Sequence, residues 1–382
     1  MSVRVLIAPD KFAGTLSAVE AAAAIAEGWR RTAPDDELVE VPLADGGPGF
    51  VDVLHATLGG DLRAVRVTGP LGSTVDAAVL VVGETAYLES AQACGLHLVP
   101  EPRDPRVTTS YGVGELVLAA RDAGARRVVL GLGGSGTNDA GAGLLAALGA
   151  QAVDVDGTDA TALLASGGGS LGRVGAVALG PALAAVAGLE LVAASDVDNP
   201  LLGLRGATNC FAPQKGAADV AVMELEGALE SFARAVGRRP DGKDPAVALG
   251  AGAAGGLGYA LLHLGAVRVP GIATVLETVD LAGRIAGADL VVTGEGAFDW
   301  QSMRGKVVSG VADAALAQGR GCVVLAGRVD VGRREYLAVG VSGAYAVLDD
   351  LRDRGLPPGT AFAEPAVCLA ALAERAARTW SR

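Results

Sequence analysis

The sequence predicts an α/β protein built as two domains, and three observations carry that reading. Short Val, Leu and Ile runs alternate with Ala-rich helical stretches along most of the chain, the pattern of strands buried between layers of helices. Gly-rich turns join the two kinds of segment, drawing on 56 glycines. The length of 382 residues exceeds one typical core, so two domains are the default. A hydrophobic content of 51% against 19% charged residues can fill both cores and argues against disorder.

The first strand is expected at Val3–Ala8, followed by "PDKFAGTLSAVE" and a helix. Ser17 and Glu20 have the spacing of a capping box, in which each side chain satisfies the other residue's backbone N–H. The connection between strand and helix carries Asp10 and Lys11 beside Gly14, more charge than a plain turn requires. "VDAAVLVVGETAYLES" reads as two strands joined at Gly83-Glu84, a hairpin that a purely parallel domain has little use for. Further buried strands are expected at Arg126–Leu130, Leu189–Ala194, Leu290–Thr293 and Cys322–Ala326. Residues 166–175, "SGGGSLGRVG", read as a loop or flexible edge, and 237–245 as a polar surface connection.

Composition narrows the function. A net charge of -12 argues against a nucleic-acid partner, since a phosphate-binding face shows clustered basic residues. A small anionic substrate needs only a local positive pocket and stays open. Cys94, Cys210, Cys322 and Cys368 lie far apart without a Cys-x-x-Cys, so no zinc site or disulfide framework is expected. There is no signal-peptide pattern at the N-terminus and no apolar run fit to cross a bilayer. A soluble, cytoplasmic protein that does not engage membranes is the expectation. His55, His97 and His263 lie in helical or apolar contexts, which gives Ser-His-Asp chemistry and histidine metal sites little support.

Basic residues are nearly all arginine; lysine stands only at Lys11, Lys215, Lys243 and Lys306. Three of these sit in Gly-containing polar stretches, "DKFAG", "PQKGA" and "RGKVV", where a compact ammonium suits phosphate oxygens. "VVLGLGGSGTNDAGAGLLAALG" passes from a strand through a Gly-rich turn toward a helix, a backbone anion site. It is no Walker loop, but Gly131-x-Gly133-x-x-Gly136 with Asp154 and Asp156 beyond it also matches a dinucleotide fingerprint. "GAGAAGGLG" repeats that glycine pattern at 250–255 and is read equally well as tight helix packing. Carboxylates close three other apolar runs: Asp45 against Gly46-Gly47, Asp196 and Asp198 with Asn199, and Glu295 with Asp299. Ligands of open α/β sheets bind outside the carboxyl ends of strands, and such acids with phosphate oxygens suit Mg²⁺.

Taken in order, "APDKFAGTLSA", "PLADGGPG", "GLGGSGTNDAG", "SDVDNPLLG", "APQKGA", "GAGAAGGLG" and "ADLVVTGEGAFDWQSMRGK" resemble the bacterial type 1 glycerate kinases, over essentially the whole chain. The resemblance implies transfer of the ATP γ-phosphate to D-glycerate with Mg²⁺, giving 2-phosphoglycerate or, as described for some relatives, the 3-isomer. It also implies a Rossmann-like parallel-sheet domain built from both chain ends (1–72 and 283–382), an inserted α/β domain (73–282), and a cleft between them. The hairpin near Val75 fits the start of that insertion.

Within that frame Lys11, Asp45 and Asp196 are the expected catalytic residues. Lys11 would face the transferring phosphoryl group or the glycerate carboxylate. Asp45 with Gly46 and Gly47 would hold substrate hydroxyls, and Asp196 would orient or deprotonate the attacking one. Gly133, Gly134, Ser135, Asn138, Asp139, Lys215 and Lys306 would meet phosphate, and Asp198, Glu295 and Asp299 would serve Mg²⁺. The chain departs from the family pattern at Ala13, where lysine is common, at Pro48, a common glutamate, and at Ala297, an arginine in many relatives. A nicotinamide-dependent oxidoreductase using the 131–136 fingerprint, and a non-catalytic binding protein descended from the kinase, stand as alternatives.

Overall fold

A computed structural model describes residues 2–12, 14–303 and 306–381; Ala13 lies outside the described residues. The chain divides into two compact units, Met1–Asp45 with Asp52–Gly59 and Ile272–Arg382, and Gly46–Val51 with Gly60–Gly271.

The first unit holds a five-stranded sheet of β1 (Arg4–Ile7), β2 (Glu37–Glu40), β11 (Leu290–Phe298), β12 (Gly321–Val329) and β13 (Val341–Ala346). Every pairing in it is parallel, in the order β13-β12-β11-β1-β2. Renumbered within the unit this is 2-1-3-4-5, the order of a doubly wound sheet whose direction reverses between β1 and β11. The core strands β1 and β12 are continuous apolar runs because helices cover both faces. Helix Ala18–Thr32 begins at the expected capping box: Ser17 N–H donates to Glu20 Oε2 at 2.8 Å, and Glu20 N–H to Ser17 Oγ at 3.2 Å. It packs against helix Pro365–Trp380 through small residues. A side chain at Gly28 would place its Cβ 1.9 Å from the Ala370 carbonyl oxygen, so glycine sets how closely these helices approach.

The second unit carries a six-stranded sheet, in which the strands follow chain order. They are β3 (Asp61–Thr68), β4 (Thr74–Val82), β5 (Thr85–Glu89), β6 (Arg127–Gly131), β9 (Glu190–Ala194) and β10 (Val267–Val269). β3, β4 and β5 are antiparallel neighbours, and β5, β6, β9 and β10 run parallel. A two-stranded ribbon, β7 (Gln151–Val153) with β8 (Ala176–Ala178), stands apart from it. The hairpin expected across Gly83-Glu84 is β4–β5. A division at 72/73 would cut a second hairpin, because Thr68 pairs with Thr74 and Asp61 with Val81. The compact units divide at Gly60 and Ile272 instead. Residues 166–175 also differ from expectation: Gly168–Arg173 form a 3₁₀ helix with Gly168 and Leu171 buried, so the glycines serve packing. Among the described residues no helix is long and apolar enough to cross a membrane.

Candidate active site

At the carboxyl end of the first unit's sheet lies a cleft of about 520 Å³. It is lined on one side by Asp10, Lys11, Asp45, Glu295, Asp299 and Lys306. This is the reversal point of the strand order, where neighbouring loops turn away to opposite faces and leave a crevice. The loop after β1 is fastened to β11: Ala8 N–H donates to the Val292 carbonyl at 2.7 Å and Asp10 N–H to that of Gly294 at 2.8 Å. These two bonds set Asp10 beside Glu295. On the far side of β1, Leu43 N–H donates to the Pro9 carbonyl at 2.9 Å and brings in Asp45.

The acids and ammonium groups here act on one another. Lys11 Nζ lies 3.8 Å from Asp45 Oδ1, and Lys11 N–H donates to Asp10 Oδ1 at 2.7 Å. Burial pushes the Asp10 carboxyl up to about 6, against the pull of Lys11 and with help from Asp45. Burial also pushes Glu295 up to about 7, opposed by Ser302 and Lys306 and reinforced by Asp10. Glu295 Oε1 is buried and has no hydrogen-bond partner among the described residues. A buried oxygen left so is costly unless a ligand or ion completes it. Asp299 behaves differently. Its Oδ1 accepts from Gln301 N–H at 2.7 Å and Ser302 N–H at 3.2 Å, and these bonds outweigh slight burial to hold its carboxyl below the ordinary range. It shapes the 299–302 turn while its residue lines the cleft.

The expected metal residues are divided between the two units, with Glu295 and Asp299 in the first. Asp198 belongs to the second unit, where its carboxylate pairs with Arg268 at 2.6 Å, and Asp299 is committed to its turn. Among the described residues no group of three or more His, Cys, Asp and Glu side chains is arranged to hold a metal ion. Glu295 and Asp10 nevertheless fit a metal carried on a triphosphate, because Mg²⁺ so bound needs only one or two carboxylates besides phosphate and water oxygens.

In the second unit the Gly-rich stretch follows β6 as expected, but much of its polarity is spent on holding itself. Asp139 is fully buried and accepts from Ser110 N–H and Oγ, both at 2.8 Å, and from Gly141 N–H at 3.1 Å. Asn138, also fully buried, donates to Thr208 Oγ1 at 3.0 Å. Lys215 is buried too, donating to Ser135 Oγ at 2.9 Å and to the Thr137 carbonyl at 2.7 Å; burial lowers it to about 8. These three residues fasten the 135–139 turn from within. Gly133 lies against the 46–47 backbone: its N–H donates to the Gly46 carbonyl at 3.1 Å, and a Cβ there would stand 2.3 Å from Gly47 Cα. Gly134 (φ +71°) turns the chain in the left-handed region beside Pro48. Asp196, after β9, is exposed and accepts from Gly271 N–H at 2.9 Å.

The two ambiguous glycine patterns separate. "GAGAAGGLG" is tight packing: a Cβ at Gly255 would stand 1.9 Å from the Thr137 carbonyl oxygen, and Ala140 N–H donates to the Gly255 carbonyl at 3.0 Å. The 131–136 fingerprint is not completed. The next helix starts only at Ala142, and Asp154 turns the β7 ribbon, accepting from Asp156 and Thr158 N–H. A dinucleotide site needs that acid beside the glycine turn at the end of a neighbouring strand, whereas β6 is flanked by β5 and β9.

Sequence reasoning passed over Asp10 in favour of its neighbour Lys11. Its signal was present, an acid directly after a buried strand. It also passed over Arg328 on β12 and the apolar residues Val347, Leu348, Phe362 and Pro365, which also line the cleft. No motif marks those residues; only the strand order brings them to this edge.

A parallel sheet with a charged crevice at its reversal point defines a ligand-binding α/β protein of the doubly wound class. Comparison with known proteins gives the family. The sequence profile of the Glycerate kinase family matches residues 5–381, and the chain belongs to that family. It is similar to the glycerate kinase of Halalkalibacterium halodurans, 38% identical over 368 residues that cover 95% of this chain and 96% of the relative. It is 43% identical over 338 residues to the glycerate 2-kinase of Escherichia coli, covering 86% and 87% of the two chains. A crystal structure of a candidate glycerate kinase 2 from Salmonella typhimurium superposes with a TM-score of 0.82 at 36% identity, covering 100% of this chain and 99% of the other. The protein is accordingly an enzyme, a kinase with an alcohol group as acceptor.

Proposed function

We propose that this enzyme transfers the terminal phosphoryl group of ATP to a hydroxyl of D-glycerate, forming 2-phosphoglycerate in the cytoplasm with Mg²⁺ as cofactor. The observation that carries the proposal is the meeting of Lys11 and Lys306 with the half-buried Asp10 and the buried Glu295 in one cleft. Phosphoryl transfer asks little covalent chemistry of a protein; it asks for positioning and for neutralisation of charge on the transferring oxygens. Lys11 and Lys306 supply that charge as compact ammonium groups. Asp45, beside Lys11, orients the ammonium and accepts a substrate hydroxyl, with Gly46 and Gly47 offering backbone close by in sequence. Glu295 and Asp10 would hold Mg²⁺, which when bound offsets charge on the bridging phosphate oxygens.

Asp196 is proposed as the group that orients the attacking hydroxyl or accepts its proton. It is the exposed carboxylate at the end of β9, held by the Gly271 N–H. The choice of 2-phosphoglycerate draws on the name of the Escherichia coli relative. A non-catalytic binding role is disfavoured by the ammonium and carboxylate groups retained together in the cleft. The test is ADP release in a coupled assay over a panel of small hydroxy acids, with the product identified by ³¹P NMR. D-Glycerate-dependent ADP release with phosphate on the 2-oxygen is expected. Turnover without glycerate selectivity, or ligand binding without turnover, rejects the proposal.

A further inference from the structure

The cleft of the first unit changes character along the sheet edge, and the strand order explains how. Passing from β1 to β13, the lining begins with Asp10 and Lys11 after β1, together with Phe12 and Leu16 of the same loop, and continues with Glu295 on β11. It then reaches Arg328 on β12 and ends at Val347 and Leu348, directly after β13. With neighbouring strands about 4.8 Å apart, three such steps give about 14 Å from the ammonium end to the apolar end. The apolar end is completed by Phe362 and Pro365. Phe362 is 74% exposed on the short helix Thr360–Ala363, which follows the stiff Pro357-Pro358-Gly359 segment.

Glycerate is small and polar at every carbon, so it has no use for an apolar wall or for the volume of the whole cleft. A flat, apolar-faced group attached to a chain of phosphates uses both. Resting on the reading of the enzyme as an ATP-dependent kinase, we infer that the first unit holds the nucleotide. Its base lies against Phe362, Leu348 and Val347, and its phosphates run past Arg328 toward Lys306 and Lys11. Arg328 is the positioning residue midway: its guanidinium, paired with Asp330 at 3.0 Å, is exposed at the cleft wall. The neighbouring Gly327, Gly296 and Ala297 leave it room. An exposed phenylalanine at the mouth of a nucleotide-sized cleft (roughly 300–1,000 Å³) is then a stacking surface for the base.

The experiment is calorimetric titration of the full-length protein with ADP, comparing wild type, Phe362→Ala and Phe362→Trp. Phe362→Ala should weaken ADP by about tenfold, in the range base stacking on an aromatic ring commands, and leave the KM for D-glycerate unchanged. Phe362→Trp should keep the affinity and show indole fluorescence quenched by ADP. Because Phe362 is exposed, its loss leaves the core intact, and circular dichroism checks this. Unchanged ADP affinity in Phe362→Ala, an unquenched Phe362→Trp, or no ADP binding by the wild type overturns the inference. The two readings fail separately. Glycerate-dependent turnover with ADP affinity indifferent to residue 362 sinks the nucleotide site alone. ADP binding that depends on residue 362 without glycerate turnover sinks the substrate reading alone.

Discussion

Lys11 Nζ stands 3.8 Å from Asp45 Oδ1, the two side chains coming from the loops after β1 and β2. Both are about one-third exposed, so the pair adds little to stability. Its consequence is orientation: the carboxylate steers an ammonium on a flexible stem toward the cleft. Lys11→Ala should lower kcat/KM by about 10²-fold or more, the scale of losing one preorganised charge contact, and leave Tm nearly unchanged. Near wild-type kcat/KM in the purified variant removes Lys11 from the reaction.

Glu295 predicts a pH dependence. Its carboxyl, raised to about 7 chiefly by burial, is largely protonated below that pH and ionised above it. A role for the ionised form therefore gives an ascending limb of kcat/KM with an apparent pKa near 7. Glu295→Gln should abolish most activity and with it this limb. A profile of the wild type flat from pH 5.5 to 8 contradicts the prediction.

Lys215 separates fastening from phosphate binding. Lys215→Met removes the donor to Ser135 Oγ and the Thr137 carbonyl. Two buried acceptors left unpaired cost about 1–3 kcal/mol each. A clear fall in Tm is expected, with the KM for ATP unaltered at permissive temperature. The wild-type lysine has its own signature. The folded protein releases this proton near pH 8 and the unfolded chain only near 10.5, so the unfolded chain binds more protons in that window. Stability from this group therefore rises with pH across it. A tenfold rise in the KM for ATP without loss of Tm would restore Lys215 to the ligand site.

Gly28 tests the helix seam of the first unit. Gly28→Ala favours the helix intrinsically by about 1 kcal/mol, yet its Cβ meets the Ala370 carbonyl. Overpacking costs about 1–3 kcal/mol or more, so net destabilisation is expected in chemical denaturation. A stabilised variant would show that the two helices can move apart freely.

Asp196→Asn keeps the size of the side chain and removes its charge. If Asp196 handles the hydroxyl proton, kcat falls by about 10²-fold or more with glycerate saturating. An unchanged kcat assigns the carboxylate to a structural role that includes holding the Gly271 N–H.

How much of this could be read beforehand depended on distance along the chain. The capping box at Ser17, the hairpin at Gly83-Glu84 and the buried strands are local, and each appears within a residue or a few of where its pattern points. Strand ends were less legible: β11 runs on to Phe298 because Gly294, Glu295, Ala297 and Phe298 continue the ladder with β12. Lys11, Asp45 and Glu295 were legible as charged residues at strand ends, and Lys306 as a lysine in a Gly-containing polar stretch. The bracing of the turn by Lys215 and Asp139 was not legible, because a cation or acid in a Gly-rich turn looks alike in sequence whether it faces a ligand or holds the turn. Phe362 and Leu348 were invisible, since their meaning comes from sheet order and not from neighbours in the chain.

The first unit is woven from segments far apart in the sequence: Arg4 N–H donates to the Asp289 carboxylate across 285 positions, and helix Ala18–Thr32 rests on helix Pro365–Trp380. During synthesis β1 must therefore wait for β11 to leave the ribosome, while the intervening residues can already form a sheet of neighbours. A nascent or prematurely terminated copy has β1 without β11 and the loop of Lys11 without its counterpart acids. Assembly of this cleft is thus tied to synthesis of the second half of the unit.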